Sequence, residues 1–290
     1  MFPARPGRTP YRRRPDTLPG SASLEARLAA AIRARLLEAE GGTAFAPPPE
    51  LRLAPPPSKG KRGFRLRARG LLRGLALGLL LAHASYIFAT SFLIGIYRFT
   101  DPSATVLMAY RKWGFGWKIE RPRPLRLKAV PSYARRMLVS VEDGKFYEHF
   151  GLDFEAFERA REINARLKRP LYGGSTLTMQ VARTLFLVPE KSYVRKYLEV
   201  IAALELELLL PKDRILELYF GYAEWGKGVF GIEAAARHHY GRSLSRLSRE
   251  ETARLVALLS SPIKYRPATL ERSGILRERY QYLQRRYLEQ

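Results

Sequence analysis

The 290-residue sequence contains no cysteine, which excludes disulfides and cysteine-based metal sites and leaves the redox compartment undetermined. Histidine is scarce as well. His238 and His239 are adjacent, so they point apart on a helix and do not make a metal pair. Acidic residues number 27 against 51 basic ones, and the resulting net charge of +24 points to an anionic partner: nucleic acid, a membrane surface or a phosphate-bearing substrate. Charge alone does not choose among these. Strand-like alternation is rare and no internal repeat is visible, so the folded part reads as mainly α, with a small hairpin around Leu125–Val130.

Residues 1–74 form a basic tail rich in proline and arginine, a composition that cannot bury a core and predicts a largely disordered segment. Within it, Ser23–Gly42 places Leu24, Leu28, Ile32 and Leu36 on one face, giving a short amphipathic helix that is marginal in isolation. A basic cluster follows, from Lys61 to Arg73. Residues 75–97 then run for 23 positions with His83 as the one ionisable side chain besides two tyrosines, enough at about 1.5 Å per residue to cross the roughly 30 Å hydrocarbon core of a membrane. The segment is too long and too far from the start for a cleaved signal peptide. Basic residues crowd its N-terminal flank, so the positive-inside rule leaves residues 1–74 in the cytoplasm and the rest of the chain outside.

Residues 98–130 read as an interfacial connector, in which Trp113, Phe115 and Trp117 alternate with Arg111, Lys112 and Lys118. That mixture suits lipid headgroups. It equally suits an aromatic layer packed under the domain. Residues 131–290 form the main domain.

The densest chemistry lies in Val141–Asp153, VEDGKFYEHFGLD. Met137, Leu138 and Val141 recur at helical spacing, which places Glu142 near a helix C-terminus, where the negative end of the macrodipole and apolar neighbours disfavour a carboxylate and suit a general base. An ordinary acidic helix end would look the same. Asp153 precedes a helical run and serves as an N-cap or as a substrate contact. Gly173-Gly174 feeds Ser175 and Thr176 into a helix, leaving backbone N–H groups for a phosphate, a weak signal taken alone. Gln180, Arg183 and Thr184 share one face of that helix. On the next, Arg195, Lys196 and Glu199 share a face, as substrate-directed groups or as a plain intrahelical ion pair. A third helix runs from Lys212 and ends at Gly221, and Gly221–Gly231 reads as a glycine- and aromatic-rich loop. Ser248 to Glu251 is a capping box, and Arg272–Gln290 is a last basic amphipathic helix.

Four ordered blocks resemble the monofunctional peptidoglycan glycosyltransferases, the biosynthetic transglycosylases of glycosyltransferase family 51. The pattern E-D-x-x-F-x-x-H-x-G-x-D is met by Glu142, Asp143, Phe146, His149, Gly151 and Asp153. The block G-G-S-T-I-T-Q-Q appears as Gly173 to Gln180, and R-K-x-x-E-x-x-x-A-x-x-L-E as Arg195, Lys196, Glu199, Ala203, Leu206 and Glu207. Lys212, Ile215, Leu216, Glu217 and Tyr219 meet K-x-x-I-L-E-x-Y. Met179, Thr184 and Gly221 depart from a glutamine and two asparagines of the family, while Arg183 and Lys191 keep positive charge where it has Lys and often Arg.

The resemblance implies a lysozyme-like, two-lobed α domain after a single transmembrane helix, polymerising lipid II on the outer face of the bacterial cytoplasmic membrane. Glu142 would be the general base on the 4-OH of the acceptor, and Glu199 a second functional acid near the donor. Asp143, Phe146, His149, Ser175, Thr176, Gln180, Arg183, Lys191, Arg195 and Lys196 would bind substrate. Lipid II, the lipid-linked strand and the membrane are the implied partners, with cell-wall synthesis or division proteins beside them and no nucleic acid. The metal requirement stays open, a divalent cation such as magnesium at the pyrophosphate being one form of it. No transpeptidase region is expected after the match. Two other readings compete: a glycan-cleaving enzyme of lysozyme-like fold, and a basic nucleic-acid-binding membrane protein.

Overall fold

The structure, a computed structural model, describes residues 29–33, 35, 61–168 and 173–289. The basic tail and most of the amphipathic helix expected over Ser23–Gly42 lie outside the described residues, although residues 29–33 and 35 are helical. The chain separates into two compact units, Met1–Gly63 and Phe64–Gln290, and the second carries the features below.

Helix α1 spans Lys61–Tyr97, well before the start expected at residue 75. Its apolar stretch, Gly70–Tyr97, covers 28 residues, or about 42 Å, and is long and apolar enough to cross a membrane. Leu71, Leu79, Phe88 and Phe92 are all more than half exposed, whereas the core helix of a water-soluble protein would bury such side chains. Towards its C-terminus α1 docks on the domain. Ile94 is fully buried, the Thr90 and Ser91 hydroxyls donate to Glu205 at 2.6 and 2.7 Å, and Tyr86 donates to the Leu198 carbonyl at 3.1 Å. Arg214 seals the exit by donating to the carbonyls of Tyr97 and Thr100 and to Asp101.

Helices dominate the domain as expected: α2 (Val106–Ala109), α3 (Ser132–Glu142), α4 (Phe154–Leu167), α5 (Leu177–Phe186), α6 (Tyr193–Leu209), α7 (Lys212–Tyr222), α8 (Ile232–Tyr240), α9 (Arg249–Leu258) and α10 (Gly274–Tyr287). Apolar spacing explains which faces turn inward. Ala134, Met137 and Leu138 bury α3, and Leu276, Tyr280 and Leu283 bury α10 against α9 and α3. The starts are capped by side chains: Asp153 accepts from the Ala156 N–H at 2.8 Å, Thr176 from Met179, Ser192 from Arg195, and Ser248 and Glu251 close the expected capping box. Buried almost throughout, α5 packs on α2, α6 and α7 at the centre of the fold.

Three local expectations need correction. Leu125–Val130 holds a 3₁₀ turn, Leu127–Ala129, and the two-stranded hairpin lies instead at β1 (Glu224–Gly226) and β2 (Val229–Phe230), in the stretch read as a loop. These strands are too short for alternation to announce them. Helix α7 does not stop at Gly221 but continues to Tyr222. Pro124 explains why a glycine suits this position, since a Cβ on Gly221 would lie 3.1 Å from the proline Cβ. The conformationally required glycines of this stretch are Gly228, with φ of 75° and a Cβ that would collide with the Lys118 oxygen, and Gly231, with φ of 86° and a Cβ that would sit 2.5 Å from the Gly221 oxygen.

Residues 98–130 contribute to the core through Leu107, Met108 and Leu127, and Glu120 donates its backbone N–H to Gly228 at the hairpin turn. Trp113 and Phe115 are exposed, while Trp117 lies under the Arg111 guanidinium, 4.8 Å from its ring centroid.

Candidate active site

Helix α3 ends at Glu142, and its carboxylate opens into a cleft of about 590 Å³. One wall is the start and first turns of α5, with Ser175, Gln180 and Arg183; the other is α10, with Ile275, Glu278, Arg279 and Tyr282. A second cleft of about 370 Å³ shares Gln180, Arg183 and Ser260 with the first and continues towards Arg111, Glu224 and Lys264. The two clefts meet at Arg183.

The carboxylate of Glu142 is not the isolated acid against apolar neighbours that its helix-end position suggested. Arg279 of α10 pairs with Oε1, and the Gln180 side-chain amide donates to Oε2 at 3.1 Å. Tyr219 in turn donates its hydroxyl to Gln180 Oε1 at 3.2 Å. Burial pushes the Tyr219 phenol well above its usual value of 10, with the Glu142 charge adding to the effect, so Tyr219 remains a hydrogen-bond donor at physiological pH. Tyr219, Gln180, Glu142 and Arg279 thus form one chain of contacts across the cleft.

The expected phosphate seat at the start of α5 is already filled. Asp143 Oδ2 accepts the Leu177 N–H at 2.8 Å, and the Thr176 hydroxyl oxygen takes the Met179 N–H while donating to the Gly151 carbonyl. A protein carboxylate therefore occupies the helix N-terminus that an anion would need. The same carboxylate faces His149 Nε2 at 2.9 and 3.0 Å, with both side chains nearly buried. Asp143 and His149 tie α3 to α5, and Asp143 also lines a small recess with Glu142, Ser175 and Thr176. Phe146 is fully buried, with the Lys212 ammonium 4.6 Å from its ring centroid.

Glu199 is fully buried and lines neither cleft. It pairs with Arg195 and, at 2.8 Å, with Lys196, whose ammonium also donates to Ser175 at 2.9 Å. The intrahelical ion pair is thus what the spacing forms, and it reaches the cleft wall through Ser175. Arg183, by contrast, is partly exposed at the junction of the clefts and has no carboxylate partner among the described residues. Lys191 is exposed on the loop between α5 and α6, outside both cleft linings. Met179 is buried, and the hydroxyl of Thr184 donates to the Gln180 carbonyl, so both departures from the family pattern are absorbed within α5.

Sequence reasoning missed α10 as part of the site. The signal was present: Ile275, Glu278, Arg279 and Tyr282 fall at i, i+3, i+4 and i+7, a face distinct from the buried Leu276, Tyr280 and Leu283. Nothing local tells which acidic partner an arginine on such a face will meet. His238 and His239 do not point apart as their adjacency suggested: their rings meet edge-on with centroids 4.8 Å apart, while their nitrogens face Glu120 and the Trp225 carbonyl.

A carboxylate thus sits between a cation and an amide in an open cleft of a mainly α domain, which follows one helix long and apolar enough to cross a membrane. Residues 114–287 match the family described as Transglycosylase. Among relatives, the chain is 40% identical over 207 residues to the biosynthetic peptidoglycan transglycosylase of Azoarcus sp. (strain BH72), covering 70% of this chain and 87% of the relative. The protein of the same name from Pseudomonas putida (strain W619) is 42% identical over 191 residues, 64% of this chain and 80% of its own, and that from Caulobacter vibrioides is 40% identical over 198 residues, 68% and 84%. The chain belongs to the transglycosylase family.

Proposed function

We propose that this chain is a peptidoglycan glycosyltransferase that polymerises lipid II, with Glu142 as its general base. The observation that carries the reading is the Glu142 carboxylate at the cleft wall, anchored through both oxygens and still open to solvent on the cleft side. As the acceptor 4-OH attacks C1 of the lipid-linked strand with inversion, Glu142 takes its proton and the pyrophosphate leaves with the electrons of the broken C–O bond. Negative charge grows on the leaving group. Arg183, free of a protein carboxylate at the meeting of the clefts, supports stabilising it, and Lys191 on the neighbouring loop adds charge from the rim. Glu199 acts indirectly, holding Arg195 and Lys196 beside Ser175.

Among the described residues no group of three His, Asp or Glu side chains converges on one point, so a divalent cation such as magnesium at the pyrophosphate would take most of its oxygens from the substrate phosphates and water, with at most one or two carboxylates of the cleft.

Helix α1 anchors the enzyme at the bacterial inner membrane, and the basic residues before its apolar stretch support an orientation with the tail in the cytoplasm and the catalytic domain outside. Cell-wall synthesis or division proteins are the natural partners for such a domain. Incubating the detergent-solubilised full-length protein with lipid II tests the reading: glycan polymer is expected. Release of soluble fragments from preformed strands without polymer would instead favour a glycan-cleaving enzyme.

A further inference from the structure

Glu142 is the last residue of α3, and the chain leaves helical geometry at once, with Asp143 at φ of −160°. No following turn of helix packs against the carboxylate. Its direction is set by two side-chain contacts, Gln180 on one oxygen and Arg279 on the other. An ionised carboxylate offers about four lone-pair directions, so these contacts leave room for an acceptor hydroxyl while fixing where that hydroxyl must come.

Arg279 is well placed to do this because the helix that carries it is immobilised. Leu276 and Leu283 of α10 are fully buried, Tyr280 donates its hydroxyl to Glu250 at 3.1 Å, and Arg254 lies 4.5 Å from the Tyr280 ring centroid. The guanidinium side chain is only 19% exposed, and its Nε is buried with no hydrogen-bond partner, so the group is committed to its one carboxylate.

We propose that Arg279 is a positioning residue for Glu142, and that α10 thereby belongs to the catalytic apparatus rather than merely covering the core. The proposal rests on the reading of Glu142 as the base. The guanidinium holds the carboxylate aimed into the cleft, with Gln180 bracing the opposite oxygen and Tyr219 bracing Gln180. A loose carboxylate would still be a base, but it would meet the hydroxyl in a productive geometry only part of the time.

The test is a double-mutant cycle on lipid II polymerisation by the full-length protein, using Arg279→Met, Glu142→Gln and the pair. Arg279→Met should lower kcat about ten- to a hundredfold, as removal of a charge-assisted contact does, with KM changed less than about twofold. Arg279→Lys should recover much of the loss. In the Glu142→Gln background, Arg279→Met should add less than about a twofold further loss, because there is no longer a base to aim. Wild-type kcat for Arg279→Met, or losses that multiply in the double variant, would overturn the proposal. If the methionine variant melts too low to assay, Arg279→Gln replaces it in the cycle with the same expectations. Near-normal polymerisation by Glu142→Gln alone would instead remove the base reading itself, an outcome distinguishable because it is read without touching Arg279.

Discussion

Replacing Asp143 by alanine should destabilise the domain far more than removal of an ordinary surface acid. Its carboxylate accepts the Leu177 N–H at the start of α5 and faces His149 Nε2, with only 3% of its side chain exposed. Alanine abandons both groups in the interior, and His149 has no alternative there because its Nδ1 is already buried without a partner. At about 1–3 kcal/mol for each of the two buried donors left unmade, the loss is roughly 2–6 kcal/mol. For a domain of this size each kcal/mol moves the melting temperature by about 2–4 °C, so Tm should fall by roughly 4–24 °C. Asparagine can still accept from Leu177, but its amide faces His149 and forces the ring to present Nε2 as an acceptor, leaving one buried N–H unmet; about half the alanine loss is expected. Thermal melting of the solubilised protein, followed by circular dichroism, reads both variants. An alanine variant that melts within about 2 °C of the parent would refute the assignment of Asp143 as the tie between α3 and α5.

Where α1 meets the domain, Glu205 is buried and its oxygens take hydroxyl hydrogens from Thr90 and Ser91. Thr90→Val with Ser91→Ala should loosen this end of α1, seen as faster amide exchange around residues 86–97, whereas adding Glu205→Leu should restore much of the protection; equal exchange in all three proteins would show that the contact is idle. His239 is held below its ordinary pKa of 6.5, first by burial and against the pull of the Trp225 carbonyl. The folded form therefore resists protonation that the unfolded chain accepts, so the stability present above about pH 6.5 is lost as pH falls through that value, and His239→Gln should flatten the slope of stability between about pH 7 and 5. An unchanged slope would locate that pH dependence elsewhere. Arg183→Lys should keep substantial turnover while Arg183→Ala loses about ten- to a hundredfold. Equal activity of the two would mean that the side chain only packs.

Much of this architecture was legible in the sequence because it rests on periodicity and caps, which are local. The apolar run of α1, the caps at Asp153 and Ser248 and the inward faces of α3 and α6 all follow from spacing alone. Misreadings arose where a local signal is answered by a residue far away. Gly173 to Thr176 has the form of an anion site, but the anion is Asp143, more than thirty positions earlier. Glu142 has the form of an unaccompanied acid, but its cation comes from 137 positions later. Phe146 and His149 stand in the same motif as Glu142, yet Phe146 is fully buried and His149 nearly so, and motif membership does not separate a side chain that lines the cleft from one that packs beneath it. Burial makes that separation, and it is decided only when α5, α6 and α7 close over the segment.

The most direct test of the central claim is polymer formation and thermal melting on the same Glu142→Gln sample. Glutamine can keep the network closed: its oxygen accepts from Arg279, its amide donates to a turned Gln180, and the Tyr219 hydroxyl accepts in place of donating. The shape of the cleft survives while the proton acceptor is lost. Polymerisation should therefore fall by about 10²- to 10⁴-fold, with melting within a few degrees of the parent and lipid II still bound. A folded Glu142→Gln protein that polymerises lipid II at a near-normal rate would contradict the account.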